Sequence, residues 1–536
     1  MLKNFFKLSW RSLLGNKAYT FINVSGLALS MACGILIFTT VKYHLSFDNF
    51  HPNSDRIYRM VTEQHRDVVN YVGSVPPSFA KTFRKDFTFA ERTANVATFE
   101  GEFVTINTGD GLKKFKEPNG ISFAEPEYFD IFNFPLLRGD KHTALSEPNT
   151  GIITQRIAEK YFGKEDPMGK VFKMDDKIPV RVTGILQNLP DNTDQQSEVF
   201  ISYPTIKVYS DWFVADDAWG GITDALKTYV RLRPGVTPAQ VEKALPAYVT
   251  KYRHESKNQH VYRLQPLKEV HFEARYGGVM ERRNLWILSF IGIFIIVTAC
   301  VNFVNLATAQ ALRRSREVGV RKVLGSLRSQ LFWQFIAETA LISILGLVVA
   351  LAIATSVLPF VNSLFKTQMT IHLFSDWTLM FFLLLLTAVV TFLAGSYPGI
   401  ILSRFKPVAA IKGKISNQQI GGFNTRRALI VTQFAISQIL IIGMIVIASQ
   451  MHYAKNSDLG FNKDAIVMVP LGLDSAGNSV STLKDQLAKL SGVQKVTACY
   501  EAPSAAGGFG TSVRYDNRAE DEAFNIDIKS ADDQAF

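Results

Sequence analysis

Ala311-Leu-Arg-Arg-Ser-Arg-Glu-Val-Gly-Val-Arg-Lys-Val-Leu-Gly325 stands between two runs without a single charge, Trp286–Ala309 and Thr339–Val361. A span of about 20 apolar residues crosses the hydrocarbon core of a bilayer. The two runs therefore pin the basic segment at a membrane surface. Two readings fit it. One is a positive-inside anchor, in which Lys and Arg keep a loop cytoplasmic. The other is a docking surface for a cytoplasmic partner. Glu317, Gly319, Val323, Leu324 and Gly325 add an acid, small residues and apolar anchors that orientation alone does not require.

The basic excess lies in such places. Lys3, Lys7, Arg11 and Lys17 meet no acid in residues 1–20. Arg313, Arg314, Arg316, Arg321, Lys322 and Arg328 meet only Glu317 in 310–330. Arg404, Lys406, Lys412, Lys414, Arg426 and Arg427 meet none in 403–427. These three pieces carry more than the whole net charge of +11, so the rest of the 536 residues is net acidic. That is the positive-inside pattern and not a nucleic-acid face.

Five stretches are long and apolar enough to span: Phe21–Val41, Trp286–Ala309, Thr339–Val361, Trp377–Leu402 and Ala428–Ser449. With flanks, the spans are expected at 18–43, 284–309, 331–361, 377–402 and 428–450. The first is too long for a signal-peptide core and reads as an uncleaved span. Residues 310–330 and 403–427 then lie inside with the N-terminus, and 44–283 and 451–536 lie outside. Residues 1–17 read as an interfacial helix. Lys3, Lys7 and Arg11 form one stripe, and Phe6 and Trp10 lie on another face, suited to anionic headgroups. The alternative is the overhang of the first span.

Region 44–283 is polar and punctuated by Pro and Gly. Short β-type runs at 56–62, 103–107, 151–154, 180–186, 228–232 and 261–264 alternate with helical patterns at 77–84, 155–162 and 238–252. The expected fold class is a multi-span α-helical membrane protein with α+β extracytoplasmic domains. One span, a soluble domain and three spans form a unit. A second unit begins at the fifth span, with 451–536 the start of a second outer domain. The second repeat is incomplete, which suggests a C-terminally truncated chain.

No catalytic signature is found. The Gly-Lys pairs at 163–164, 169–170 and 413–414 are followed by Glu, Val and Ile, whereas a phosphate-binding loop needs Ser or Thr there. Cys33, Cys300 and Cys499 give neither a disulfide framework nor metal spacing. His51 and His271 read as polar surface or loop residues rather than metal ligands. Asn302, Asn305, Gln433 and Gln438 lie within spans and read as helix–helix hydrogen-bonding groups. No span has an Asp, Glu, Lys or Arg near its centre; Glu338 lies at the edge of the third. That argues against an ion-coupled pathway. No catalytic residue, metal or cofactor is expected.

Several segments together resemble a known family. Phe6-Lys-Leu-Ser-Trp-Arg-Ser-Leu-Leu-Gly-Asn-Lys17 with Ile22-Asn-Val-Ser-Gly-Leu27 is similar to its opening. Ala158-Glu-Lys-Tyr-Phe-Gly-Lys-Glu-Asp-Pro-Met-Gly-Lys170 and Val182-Thr-Gly-Ile-Leu186 resemble its extracytoplasmic domain. Arg314-Ser-Arg-Glu-Val-Gly-Val-Arg-Lys-Val-Leu-Gly325 is the most specific segment and resembles its cytoplasmic coupling segment. Tyr397-Pro-Gly399 and Pro407-Val-Ala-Ala-Ile-Lys412 resemble the end of the repeat's last span. The family is the MacB/FtsX type of ATP-binding-cassette permease, the type VII class.

The resemblance implies a MacB-like periplasmic core domain in 44–283, an FtsX-like domain in 284–412 and a location in the cell inner membrane with the large domain periplasmic. It implies a separate ABC ATPase subunit docking on Arg316, Glu317, Val318, Gly319, Arg321, Lys322, Val323, Leu324 and Gly325. Other implied partners are the lipid bilayer, a periplasmic adaptor, an outer-membrane channel and a second copy or second repeat making a dimer or pseudo-dimer. The implied function is a non-enzymatic permease that transmits ATP-driven motion to its outer domain for efflux or export of periplasmic substrates. Two alternatives stand: a module for sensing or detoxifying antimicrobial peptides that signals to a kinase, and a membrane-anchored enzyme.

Overall fold

In a computed structural model, five long helices follow the apolar runs: α1 (Lys17–Leu45), α2 (Arg282–Val323), α3 (Arg328–Phe365), α4 (Trp377–Arg404) and α5 (Phe423–Asn456). The structure describes residues 15, 17–65, 68–100, 102–107, 111–208, 210–253, 258–404, 423–458, 465–469, 471, 478–502, 505, 509–516, 518, 522 and 525–532. The expected interfacial helix, with Lys3, Phe6, Lys7, Trp10 and Arg11, and most of the linker 403–427 lie outside the described residues. All five helices are long and apolar enough to cross a membrane. They belong to one compact unit, and Ser46–Glu281 with Leu459–Phe536 to another.

In the helical unit, α1 packs mainly on α3, and α3 on α4. Its core joins Leu27, Met31 and Ile35 of α1, Phe303 of α2, Ile342 of α3 and Leu383 of α4. Small residues set the spacing. Gly346, Ala350 and Ala354 recur every fourth residue along α3 and are buried. A Cβ at Gly346 would sit 3.5 Å from Leu27 Cβ, and one at Gly34 only 3.0 Å from Ile296 Cδ1. Bilayers supply little hydrophobic drive between helices, so close backbone approach gives the attraction. Four side-chain donors of α1 bond to its own preceding turns. Asn23 Nδ2 donates to Tyr19 O (2.8 Å), Ser30 Oγ to Gly26 O (3.0 Å), Thr39 Oγ1 to Ile35 O (2.8 Å) and Thr40 Oγ1 to Leu36 O (2.9 Å). Helix α5 differs. Ile439, Ile442, Met444, Ile445 and Ile447 point to all sides of it and are each more than half exposed.

The other unit is built on one sheet. Its strands are β1 (Ile57–His65), β2 (Val69–Val72), β3 (Ala90–Phe99), β4 (Phe103–Asn107), β5 (Leu112–Lys116), β6 (Ile121–Ala124) and β7 (Leu136–Arg138), then β8 (Thr150–Thr154), β9 (Val171–Met174), β10 (Ile178–Leu186), β11 (Val199–Ser202), β12 (Leu226–Leu232) and β13 (Gln259–Pro266). The order is β13-β1-β12-β3-β6-β11-β8-β10-β9-β4-β5, with β2 on β1 and β7 on β10. β6/β11 and β8/β10 are parallel; the other named pairs are antiparallel. The central strands β6, β8 and β11 are buried at every residue.

Helices cover the sheet. Gln155–Phe162 starts at Thr154, whose Oγ1 accepts Ile157 N at 3.3 Å, and buries Ile157 and Tyr161. Glu127–Phe132 buries Tyr128, Phe129 and Phe132. The single helical pattern expected over 238–252 is two helices, Pro238–Ala244 and Pro246–Tyr252. Pro246 lacks the N–H that would continue the first and is well placed to start the second. In the second half, the described residues include the helix Asn478–Leu487 and a hairpin of Phe509–Ser512 with Asn525–Ile528.

Candidate functional site

The basic segment is not a separate helix. Its first part is the last turns of α2, which runs 42 residues from Arg282 to Val323. Neither Pro nor Gly interrupts it between Ala309 and Gly319, and one interior glycine is tolerated. The helix closes at Gly325, whose φ of 95° favours a residue without Cβ. Ser326 N donates to Arg321 O and Gly325 N to Lys322 O, both at 3.1 Å. Leu327 N then donates to Gln330 Oε1 at 3.0 Å, opening α3.

The predicted contact residues separate by helical face. Val318 packs against the bundle core and Gly319 is buried. Arg321 Nη1 donates to Gln334 Oε1 of α3 at 3.1 Å. Lys322 Nζ donates to Ser403 O in the last turn of α4 at 2.6 Å, where a cation suits the unpaired carbonyls of a helix end. Burial, and then the charge of Arg328, holds the Lys322 ammonium below the usual lysine range. Val323 and Leu324 are exposed, Leu324 at 79%. Val320 and Leu327 are exposed beside them, although sequence reasoning passed them over. The side chains of Arg316 and Glu317 lie outside the described residues. The turn thus has cations tied inward and an apolar surface left bare.

The other end of the bundle has an ion pair that sequence reasoning missed. Lys42 Nζ bonds the Asp376 carboxylate. Asp376 also accepts Leu379 N at 3.1 Å and Thr378 Oγ1 at 2.6 Å, capping the start of α4. Burial alone would raise this carboxyl, but Lys42 and those two donors outweigh it and hold it at about 2. Below the pair, Phe38 stacks on Phe382 with ring centroids 4.0 Å apart.

In the sheet unit, His51 and His271 lie in loops, as one of the two expected placements had it, but are buried rather than on the surface, each 3% exposed. They flank two aspartates. Asp48 accepts Thr193 Oγ1 at 2.5 Å and Asp194 N at 3.2 Å, and His51 Nε2 lies 3.4 Å from it. His51 Nδ1 donates to Phe132 O at 2.6 Å. His271 Nδ1 lies 2.8 Å from Asp194 Oδ1, and its ring stacks on Phe47. Burial pushes the Asp194 carboxyl up, and His271 partly offsets this. The cluster buckles residues 46–51 to the loop 192–195. A carboxyl pair lies elsewhere: Glu102 is buried beside Asp175, which accepts Phe103 N at 3.1 Å. Burial first, and Asp175 second, push Glu102 well above the carboxylate range. Among the described residues, no group of three or more His, Cys, Asp or Glu is placed to hold a metal.

Residues 20–248 match the MacB-like periplasmic core domain family, and residues 289–407 match the FtsX-like permease C-terminal family. The chain is a MacB/FtsX-type permease. Similar curated proteins include the macrolide export ATP-binding/permease protein MacB of Haemophilus ducreyi, 23% identical over 42% of this chain and 31% of that protein. The MacB of Burkholderia lata is 24% identical over 53% of this chain and 36% of that protein. This permease therefore spans only about a third of the length of these relatives. Similar solved structures include a domain of a permease protein from Porphyromonas gingivalis, 21% identical with a TM-score of 0.35, covering 40% of this chain and 91% of that one. Another is the periplasmic region of MacB from Actinobacillus actinomycetemcomitans, 16% identical with a TM-score of 0.29 and the same two coverages.

Proposed function

We propose that this permease is the membrane subunit of an ATP-driven complex, with a separate ATPase seated on the turn between α2 and α3. ATP-driven motion would pass along α2 to the periplasmic sheet unit and drive efflux or export of periplasmic substrates. The turn would be cytoplasmic and the membrane the cell inner membrane. A second copy or second repeat would complete a dimer.

One observation carries this reading. Helix α2 is a single rod from Arg282 to the turn, about 63 Å at 1.5 Å per residue. That is twice the thickness of the hydrocarbon core, about 30 Å. A rod of that length delivers displacement at one end to the other without a hinge. Its basic end also carries the bare apolar residues Val320, Val323 and Leu324, the kind of anchor a groove on a partner accepts. The Gly-Lys pairs lacking Ser or Thr support hydrolysis in another subunit.

The test uses Val323→Asp/Leu324→Asp in the full chain, expressed with its ATPase. Arg321 and Lys322 stay unchanged because they hold the turn. Expected are normal membrane insertion and loss of ATPase co-purification. Wild-type co-purification with wild-type stimulation of hydrolysis would make the segment an orientation anchor only.

A further inference from the structure

The sheet unit has a cleft that coupling does not require. It consists of two adjoining cavities of about 470 and 420 Å³ that share Arg92, Asp130 and His142 as lining. Both volumes fall within the range of small-molecule sites, roughly 300–1,000 Å³. The walls come from separate elements: the end of the helix Ser78–Asp86, the start of β3, the helix Glu127–Phe132, the loop after β7 and the end of β12.

Charge is distributed unevenly between the two cavities. Asp130 forms the partition, with its side chain 10% exposed. It accepts Arg92 Nε at 3.0 Å and Lys141 Nζ at 2.9 Å, and its backbone oxygen accepts Arg231 Nη1 at 2.7 Å. Three cations therefore converge on the second cavity. Arg231 Nε also donates to Glu91 Oε2 and Arg92 Nη1 to Glu91 O, both at 3.1 Å, so Lys141 and the remaining guanidinium N–H groups are what is left for an anionic group. The first cavity has Phe87, Ala90 and Pro126 as apolar lining and two further carboxylates, Glu127 and Glu91, the latter paired with Arg56 and Arg231. Arg84 there is spent on Glu125, in two bonds of 2.8 and 2.9 Å. Glu127 has no hydrogen bond or ion pair among the described residues.

A surface network of ion pairs is the ordinary explanation for such a place, and exposed pairs contribute little, roughly 0–1 kcal/mol each. That explanation does not account for Glu127, which feels the charge of Arg84 but makes no hydrogen bond among the described residues, in a cleft where three cations converge. The geometry points to a binding site for a small zwitterion, with a free amino group at Glu127, a short apolar body against Phe87 and Pro126, and a carboxylate at Arg92 and Lys141. A short peptide with free termini has this chemistry. The site is independent of ATPase docking, so either proposal can fail alone.

The experiment is calorimetric titration of the full-length protein in detergent with Ala-Phe-Ala. The arms are the free tripeptide, its N-acetylated form and its C-amidated form. The free tripeptide is expected to bind, and each blocked form to bind at least about tenfold more weakly, the loss of one charge-assisted contact. Glu127→Gln should remove the difference between free and acetylated peptide, and Lys141→Met the difference between free and amidated peptide. Both side chains are partly exposed, so neither change should disturb the fold. Absence of heat at millimolar peptide would overturn the proposal. So would binding unchanged in both variants. Acetylated peptide binding as tightly as free peptide would show a simple anion site and would overturn the zwitterion reading.

Discussion

Replacing Asp376 by Asn and by Ala separates two roles that one carboxylate performs at the start of α4. The first role is capping: Leu379 N and Thr378 Oγ1 both reach it. An N-cap of this kind contributes about 1 kcal/mol. The second is the ion pair with Lys42. A carboxyl moved from 3.8 to about 2 corresponds in full to roughly 2 kcal/mol. Part of that shift belongs to the cap donors, and Lys42 is 39% exposed, so screening reduces the pair to about 1 kcal/mol. Asn keeps an acceptor for the cap and loses the charge, so Asp376→Asn should cost about 1 kcal/mol and Asp376→Ala about 2 kcal/mol. Because the folded pKa is lowered, the stabilisation is complete above the ordinary aspartate range and is lost as pH falls through about 2. The assay is the unfolding midpoint of the purified full chain titrated with SDS in mixed micelles, with Lys42→Met in each background to complete the cycle. Additive effects of Lys42→Met and Asp376→Asn would refute the pairing. Equal midpoints for Asn and Ala would refute the cap.

Two further outcomes follow from buried positions. Glu102 has a raised folded pKa, so its contribution is full below the ordinary glutamate range and is lost as pH rises through that raised value. Glu102→Gln should therefore flatten the fall of stability from the ordinary glutamate range up to about 9, read as denaturant midpoint against pH. Gly395→Val should lower the unfolding midpoint by about 1–3 kcal/mol, because a Cβ there would lie 2.9 Å from Ile336 Cδ1 and 3.1 Å from Thr339 Oγ1.

The helical unit was legible because each span is a long uncharged run, and length alone separates such runs from buried strands. The sheet was legible in part, including the fully buried β8, whose run at 151–154 is rich in β-branched residues. β4 and the helix Gln155–Phe162 have the predicted bounds. Ile121–Ala124 and Val199–Ser202 are buried throughout and four residues long, too short for periodicity to show. At the candidate site, the segment was legible from its composition, but its facing was not. That Arg321 and Lys322 turn inward depends on Gln334 and on Ser403, residues on other helices. Likewise His51 and His271 are buried by aspartates and rings brought from distant parts of the chain, and no local pattern announces this.

The self-satisfied donors of α1 matter during synthesis. Its main partner, α3, begins at Arg328, and all of the sheet unit before Arg282 is made between them. At elongation rates of about 5–20 residues per second, that stretch takes on the order of tens of seconds. Throughout the wait α1 has no α3 against which to bury Leu27, Met31 and the polar side chains beside them. Bonding Asn23, Ser30, Thr39 and Thr40 to its own carbonyls leaves none of these donors bare in lipid, where an unmet one costs several kcal/mol. The helix is thus equipped to persist alone in the bilayer until the seam of small residues on α3 arrives.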